Sequence, residues 1–303
     1  MTDHEEEGEA WTTRGERGAT VAIKLIVWIA LHLGRRTTRL LLYPICLYFL
    51  AFSTASRRAS DIYLRHAFGR EPRINERFQH YHCFAACVLD RVYLLNNELD
   101  LFDVHADGEE IAEAEIDRGE GCFLFGAHLG SLEILRALGH RQPNFKLSLL
   151  MYEENARKIN SVLNAINPDL SIEVIALGQP NAMLAVEQRL NEGHLIAIVA
   201  DRGLALDHEE NLRVDFLGDN AQFPLGPFRL AALLRRRVIL MVGLYRGGRC
   251  YDVHFERLAD FTAVTRETRS KAVEDAVRYY VGRLEYFCRQ APDNWFNFYN
   301  FWQ

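Results

Sequence analysis

The 303-residue chain is predicted to be an α/β protein: a mixed, largely parallel sheet flanked by helices, with an N-terminal hydrophobic helical segment. Three observations lead there. From residue 106 onward, short apolar runs alternate with runs of helical period, the pattern of a sheet joined by crossover helices. The 122–127 run "CFLFGA" is apolar at nearly every position, as a strand covered on both faces is. Two longer apolar runs, 19–33 and 40–55, precede all of this around "GRRTTR".

In chain order, residues 1–18 read as a flexible acidic tail, with Glu5, Glu6, Glu7 and Glu9 crowded together. Residues 19–56 form the hydrophobic helical segment. Each of its runs is shorter than the ~20 residues that span a bilayer, and Lys24, His32 and Pro44 interrupt them. Trp28, Tyr43 and Tyr48 suit a headgroup interface, and Arg35, Arg36, Arg39, Arg57 and Arg58 suit anionic lipid. The segment reads as membrane-associating; a buried helical hairpin has the same pattern.

Residues 57–303 read as one domain, helical over 57–105 and α/β over 106–303. In the helical part Tyr81, Phe84, Ala85, Val88, Leu89 and Val92 recur near a 3.6-residue period. His80 and His82 lie in the same stretch without the spacing of a metal site, which favours solvated or hydrogen-bonded core histidines. Strands are expected at 122–127, 145–151, 172–177, 195–200, 238–245 and 251–257. Helices are expected at 130–139, 153–165, 181–191, 226–235 and about 268–291. The last two strands, separated by "RGGR", suggest an antiparallel hairpin at one edge.

A content of 49% hydrophobic and 25% charged residues describes a folded chain. A net charge of −6 argues against a nucleic-acid partner. The six cysteines form no CxxC pair and sit mostly in apolar runs, as buried free thiols do.

The chemistry points to "FLFGAHLGSLEIL", residues 123–135. Ligands of open α/β sheets gather beyond the carboxyl ends of strands, and His128 sits at such an end. Gly126 and Gly130 leave room for close approach on either side. If a helix starts near Gly130, Glu133 falls in its first turn and can reach back to the imidazole. The five-residue gap differs from the i, i+4 histidine spacing of a zinc helix, so a histidine–carboxylate dyad fits better than a metal. Such a dyad fixes the ring's tautomer and lets its other nitrogen take a proton. A histidine beside an ordinary surface glutamate has the same sequence. No GxSxG elbow, GxGxxG or Walker loop occurs, and Ser131 lacks an elbow sequence.

The chain resembles the lysophospholipid acyltransferase superfamily, in particular its lipid A biosynthesis (lauroyl/myristoyl) branch, over about residues 110–302. "GAHLGSLE" is similar to that family's HX4(D/E) motif. "LNEGHLIAIVADR" resembles its strand ending at an Asp, "VDFLGDNAQFPLGPFRLAALLRRRVI" its aromatic-x-Gly turn and Gly-Pro helix start, and "PDNWFNFYNFW" its aromatic tail. The resemblance implies an acyltransferase with His128 as base and Glu133 as its partner. It implies substrate contacts at Gly126, Gly130, Asn155, Arg157, Asp201, Arg202, Phe216, Gly218, Gly226 and Pro227. The implied donor is an acyl carrier protein or acyl-CoA thioester and the acceptor a membrane lipid, with no metal or other cofactor. The implied location is the cytoplasmic face of the inner membrane. An acyl-thioester hydrolase or an idle lipid-binding relative are the alternatives. Arg202 stands where lipid A enzymes usually carry Gln, and "NFYNFW" lacks their basic residues; both departures bear on the acceptor more than on acyl transfer.

Overall fold

A computed structural model describes residues 3–135, 139, 144–152, 166, 173–179, 181–202 and 210–302, with side chains of the first helix from Trp28 onward. That helix, α1 (Asp3–Phe52), includes residues 3–18, expected as a tail, where five glutamates and two arginines favour helix and Gly8, Gly15 and Gly18 oppose it. It breaks at Gly34 (φ 74°, ψ 160°), a conformation that glycine tolerates. A bend of 94° separates its Trp28–Phe52 part from α2 (Thr54–Phe68), and α3 (Ile74–Leu95) follows. No single described helix is long and apolar enough to cross a membrane, although the bent pair together passes that test.

The sheet is mixed and largely parallel, and helices flank it. Its strands are β1 (Asp103–Asp107), β2 (Cys122–Gly126), β3 (Leu147–Tyr152), β4 (Glu173–Leu177), β5 (Leu195–Val199), β8 (Arg237–Gly247) and β9 (Cys250–Asp260), in the order β1-β9-β8-β2-β5-β3-β4. All pairings are parallel except β8 with β9. The described residues also form α4 (Glu109–Arg118), α5 (Ala182–Asn191), a separate hairpin of β6 (Asn211–Phe216) and β7 (Asp219–Pro224), α6 (Gly226–Leu233) and α7 (Arg269–Gln290), with short 3-10 turns at Leu99–Leu101 and Pro292–Asn294.

β2 is buried along its whole length and serves both faces. Phe123 and Phe125 join the core beneath α5, α6 and α7, with Val186, Phe228, Val277 and Phe287. Cys122 and Leu124 join the opposite core with Cys83, Ala86 and Leu89 of α3. The period-two alternation of a strand thus divides one apolar run between two layers. All six cysteines are free; only Cys250 is not fully buried.

All six expected strands are present. The β8–β9 hairpin is antiparallel, but it is not at the edge, because β1 pairs in parallel along the outer side of β9. β1 reads "DVHAD": an exposed edge strand needs little apolar alternation. The helix expected at 130–139 begins later: among the described residues, helical backbone starts at Leu135. The helix expected at 153–165 lies outside the described residues.

Candidate active site

β2 and β5 are neighbours, and their last residues, Gly126 and Val199, stand opposite each other. Two positions beyond each end come His128 and Asp201. The Ala200 N–H donates to the Gly126 carbonyl at 3.0 Å, so the ladder continues past both strands and the two chains leave side by side. Register alone therefore brings an imidazole and a carboxylate together at the carboxyl edge of the sheet.

The His128 side chain is 44% exposed, whereas that of Asp201 is fully buried. The ring donates from Nδ1 to Asp201 Oδ1 at 2.9 Å, and the His128 main-chain N–H lies 3.2 Å from each carboxylate oxygen. The Trp295 indole donates to Oδ2 at 3.0 Å, and Arg202 Nε is 3.7 Å from the same atom. Burial pushes the Asp201 carboxyl up. The opposing pull of His128, Arg202 and the Trp295 indole outweighs it and holds the group well below the usual carboxylate range. An ionised carboxylate only accepts hydrogen bonds, so Nδ1 carries the proton and the lone pair of neutral imidazole lies on Nε2. Nε2 has no hydrogen-bond partner among the described residues.

Glu133 is not the partner of this ring. It ion-pairs through Oε1 with Arg91 Nε of α3 at 2.6 Å and accepts from the Ser131 hydroxyl at 3.0 Å. The cause is the path of the loop. Gly130 adopts φ +67° and bridges to Gly243 of β8, and the Ser131 N–H donates to the Gly243 carbonyl at 2.8 Å. The chain thus runs along β8 before any helix begins, and Glu133 turns toward α3. A Cβ on Gly130 would overlap the Gly243 carbonyl, so this glycine meets backbone on that side.

The C-terminal segment closes the site from behind. The Phe296 N–H donates to the His128 carbonyl, and the Gly130 N–H to the Asn294 carbonyl, each at 2.8 Å. Arg202 donates to the Phe296 carbonyl at 2.7 Å and lies over the Tyr299 ring. Trp295 is fully buried and packs edge-on against Phe216, which thereby stands behind Asp201. Gly218 (φ +88°) shapes the β6–β7 turn, and Gly226 and Pro227 open α6. Gly126 supplies its carbonyl to Ala200 and to the Tyr280 hydroxyl. Asn155 and Arg157 lie outside the described residues. The structure thus brings together His128, Asp201, Arg202 and Phe216 of the expected set. Trp295, which touches Asp201 directly, was legible only as part of an aromatic tail.

Fold and strand-end geometry are those of an α/β enzyme. The chain belongs to the bacterial lipid A biosynthesis acyltransferase family, whose profile matches residues 11–303, and is accordingly an acyltransferase. No protein of curated function matches it in sequence. Among solved structures it is similar to the 1-acyl-sn-glycerophosphate (LPA) acyltransferase PlsC from Thermotoga maritima. That likeness has 16% identity over 82% of this chain and 98% of that chain, with a TM-score of 0.38.

Proposed function

We propose that the protein moves a fatty acyl group from a thioester, on acyl carrier protein or coenzyme A, to a hydroxyl or amine of a membrane lipid, with His128 as general base. The observation that carries this is the exposed ring whose Nδ1 is tied to a buried, ionised carboxylate. Nε2 takes the acceptor's proton as its oxygen or nitrogen attacks the thioester carbonyl. The new C–O or C–N bond forms and the C–S bond breaks. The proton on the imidazolium then passes to the departing thiolate. Arg202, held beside the site by the Phe296 carbonyl, supplies positive charge for the oxyanion or for a phosphate of the donor.

The test follows thiol release from acyl carrier protein and CoA thioesters with and without extracted membrane lipid. Release that depends on acceptor, and falls about 10²–10⁴-fold in His128→Ala, supports the reading. Full-speed release without acceptor identifies a hydrolase, and unchanged activity in the variant removes His128 from the chemistry.

We further infer that residues 19–56 attach the protein to the cytoplasmic face of the inner membrane, leaving 57–303 as the catalytic domain. In support, Trp28, Leu40, Tyr43, Leu47, Tyr48, Phe49 and Phe52 of α1 are all exposed.

A further inference from the structure

We propose that Arg91 of α3 is an anion-binding residue of the acceptor site: its guanidinium takes an oxyanion headgroup, a phosphate or carboxylate, of a lipid whose chain lies on Phe84 and Val88. This rests on the reading of the protein as a lipid acyltransferase and deepens it by naming the class of acceptor, an anionic amphiphile.

The first observation is an arginine whose donors are mostly unspent. A guanidinium carries five N–H donors in a planar fork. Elsewhere one carboxylate fills such a fork: Arg35 with Asp90, Arg249 with Asp103 and Arg283 with Glu256 each make two bonds of 2.6–2.7 Å. Arg91 differs. Glu133 meets its Nε at 2.6 Å, but the second oxygen of that carboxylate takes the Ser131 hydroxyl. Among the described residues, the two terminal amino groups of Arg91 donate no hydrogen bond. The side chain is 31% exposed. Folding gains little from a part-exposed ion pair, about 0–1 kcal/mol. What the pair does is hold Nε and leave free the two amino groups, which together can bind two oxygens of one anion.

The second observation is the place of Arg91 on α3. Phe84, Val88 and Arg91 stand at i, i+4 and i+7 and so share a face. They span about 10 Å along the helix. Phe84 and Val88 are 39% and 41% exposed. The surroundings of the base border this face at both ends. The Phe84 ring packs edge-on against Phe296 at 5.2 Å, and the Phe296 N–H holds the His128 carbonyl. Arg91 is held by Glu133 of the His128 loop. An apolar stretch that ends in a cation is complementary to a lipid chain that ends in an anion. An acceptor headgroup carries its charge close to the attacking hydroxyl or amine, which keeps that charge near the loop of the base. In a thioester donor the pantetheine arm lies between the reacting carbonyl and the nearest phosphate.

The experiment titrates the full-length protein, below the critical micelle concentrations, with dodecyl phosphate, dodecanoate, neutral dodecyl maltoside and inorganic phosphate. It compares the parent with Arg91→Gln and Val88→Glu. The second variant keeps Arg91 and its ion pair, and places a carboxylate one turn away that competes for the same amino groups. It decides alone if Arg91→Gln does not fold. For whichever dodecyl anion the parent binds more tightly, Kd is expected to rise about 10–100-fold in Arg91→Gln and about tenfold in Val88→Glu. Dodecyl maltoside should bind Arg91→Gln as it binds the parent, and inorganic phosphate should bind more weakly than the dodecyl anion. In the thiol-release assay that anion should compete with extracted lipid and not with the thioester. The proposal is overturned if the variants bind the anion as the parent does, or if Arg91→Gln loses dodecyl maltoside equally. Competition with the thioester instead of the lipid overturns it too, as does inorganic phosphate bound as tightly as the dodecyl anion. The titration reads Arg91 without turnover, whereas thiol release in His128→Ala reads the base, so the two failures are separable.

Discussion

His80 and Trp295, both fully buried, are joined at 2.9 Å by a bond from the histidine Nε2–H to the tryptophan main-chain carbonyl. The Ser60 hydroxyl donates to the other ring nitrogen at 2.7 Å, and Tyr63, Tyr81 and Phe298 complete the surroundings. Among the described residues, no acidic side chain touches the ring. Burial therefore pulls the imidazole down to about 4, against a smaller upward pull from the Trp295 carbonyl. The unfolded chain binds a proton near 6.5, while the folded one refuses it until about 4. Stability from this group is thus present above 6.5 and falls as the pH drops toward 4, by up to roughly 3 kcal/mol. Asp201, whose folded value is depressed, contributes a loss only below the usual carboxylate range. Urea melts at pH 7.5 and 5 should differ accordingly. His80→Asn should flatten that difference, and an equal slope in parent and variant would refute the assignment.

Gly130 and Gly119 share φ +67° in different surroundings. A Cβ at Gly119 would meet nothing within 4 Å, whereas at Gly130 it would strike the Gly243 carbonyl. Gly119→Ala should therefore cost only the strain of a left-handed residue, about 1–2 kcal/mol. Gly130→Ala should cost more, and should also lower kcat if His128, on the same loop, is the base proposed above. Thermal melts of the two variants check this: equal costs would mean that the contact with β8 is loose.

The strands that bury apolar residues were readable, because "CFLFGA" and its counterparts carry the pattern of a covered sheet. β1 was not, since an edge strand written "DVHAD" has no apolar face to detect. Of the β6–β7 hairpin only the aromatic-x-Gly turn was read; its strands, "NLRVDF" and "DNAQFP", are largely polar and carry little apolar signal. His128 and Asp201 were both legible as strand-end residues. Their adjacency was not, because the ladder between β2 and β5 joins segments 73 positions apart. Sequence spacing instead favoured the nearby Glu133, and only the detour of Gly130 along β8 shows why that carboxylate turns away.

Asp90 holds the N-terminal helix to the body of the protein. It is fully buried on α3 and takes a two-pronged bond from Arg35, 2.7 Å at each oxygen, with Arg39 at 3.6 Å and the Tyr251 hydroxyl at 2.9 Å. Arg35 also reaches the Gly248 carbonyl at 2.6 Å, so α1 is tied to the β8–β9 turn as well. Asp90→Asn would leave two guanidinium groups facing a neutral amide. A cost of about 3–5 kcal/mol is expected, with faster proteolysis at α1 than elsewhere. Cleavage that stays uniform along the chain would show that α1 is held by its apolar packing alone.

Beyond Arg39 the outward face of α1 carries Leu40, Tyr43, Leu47, Tyr48 and Phe52, each more than half exposed. Leu47 also borders a shallow apolar recess with Leu50, Ile74 and Phe78. Insertion of one such side chain into the interfacial layer contributes about 1.5–3 kcal/mol. Replacing Leu47, Tyr48 and Phe52 together by Ser removes three of them. None of the three contributes to the buried ion pairs around Asp90, so the fold should survive. Binding to vesicles of anionic phospholipid, measured by co-sedimentation, should drop at least 10²-fold, while the melting temperature stays within a few degrees. Equal binding by parent and triple variant would place the membrane contact elsewhere, or rule it out.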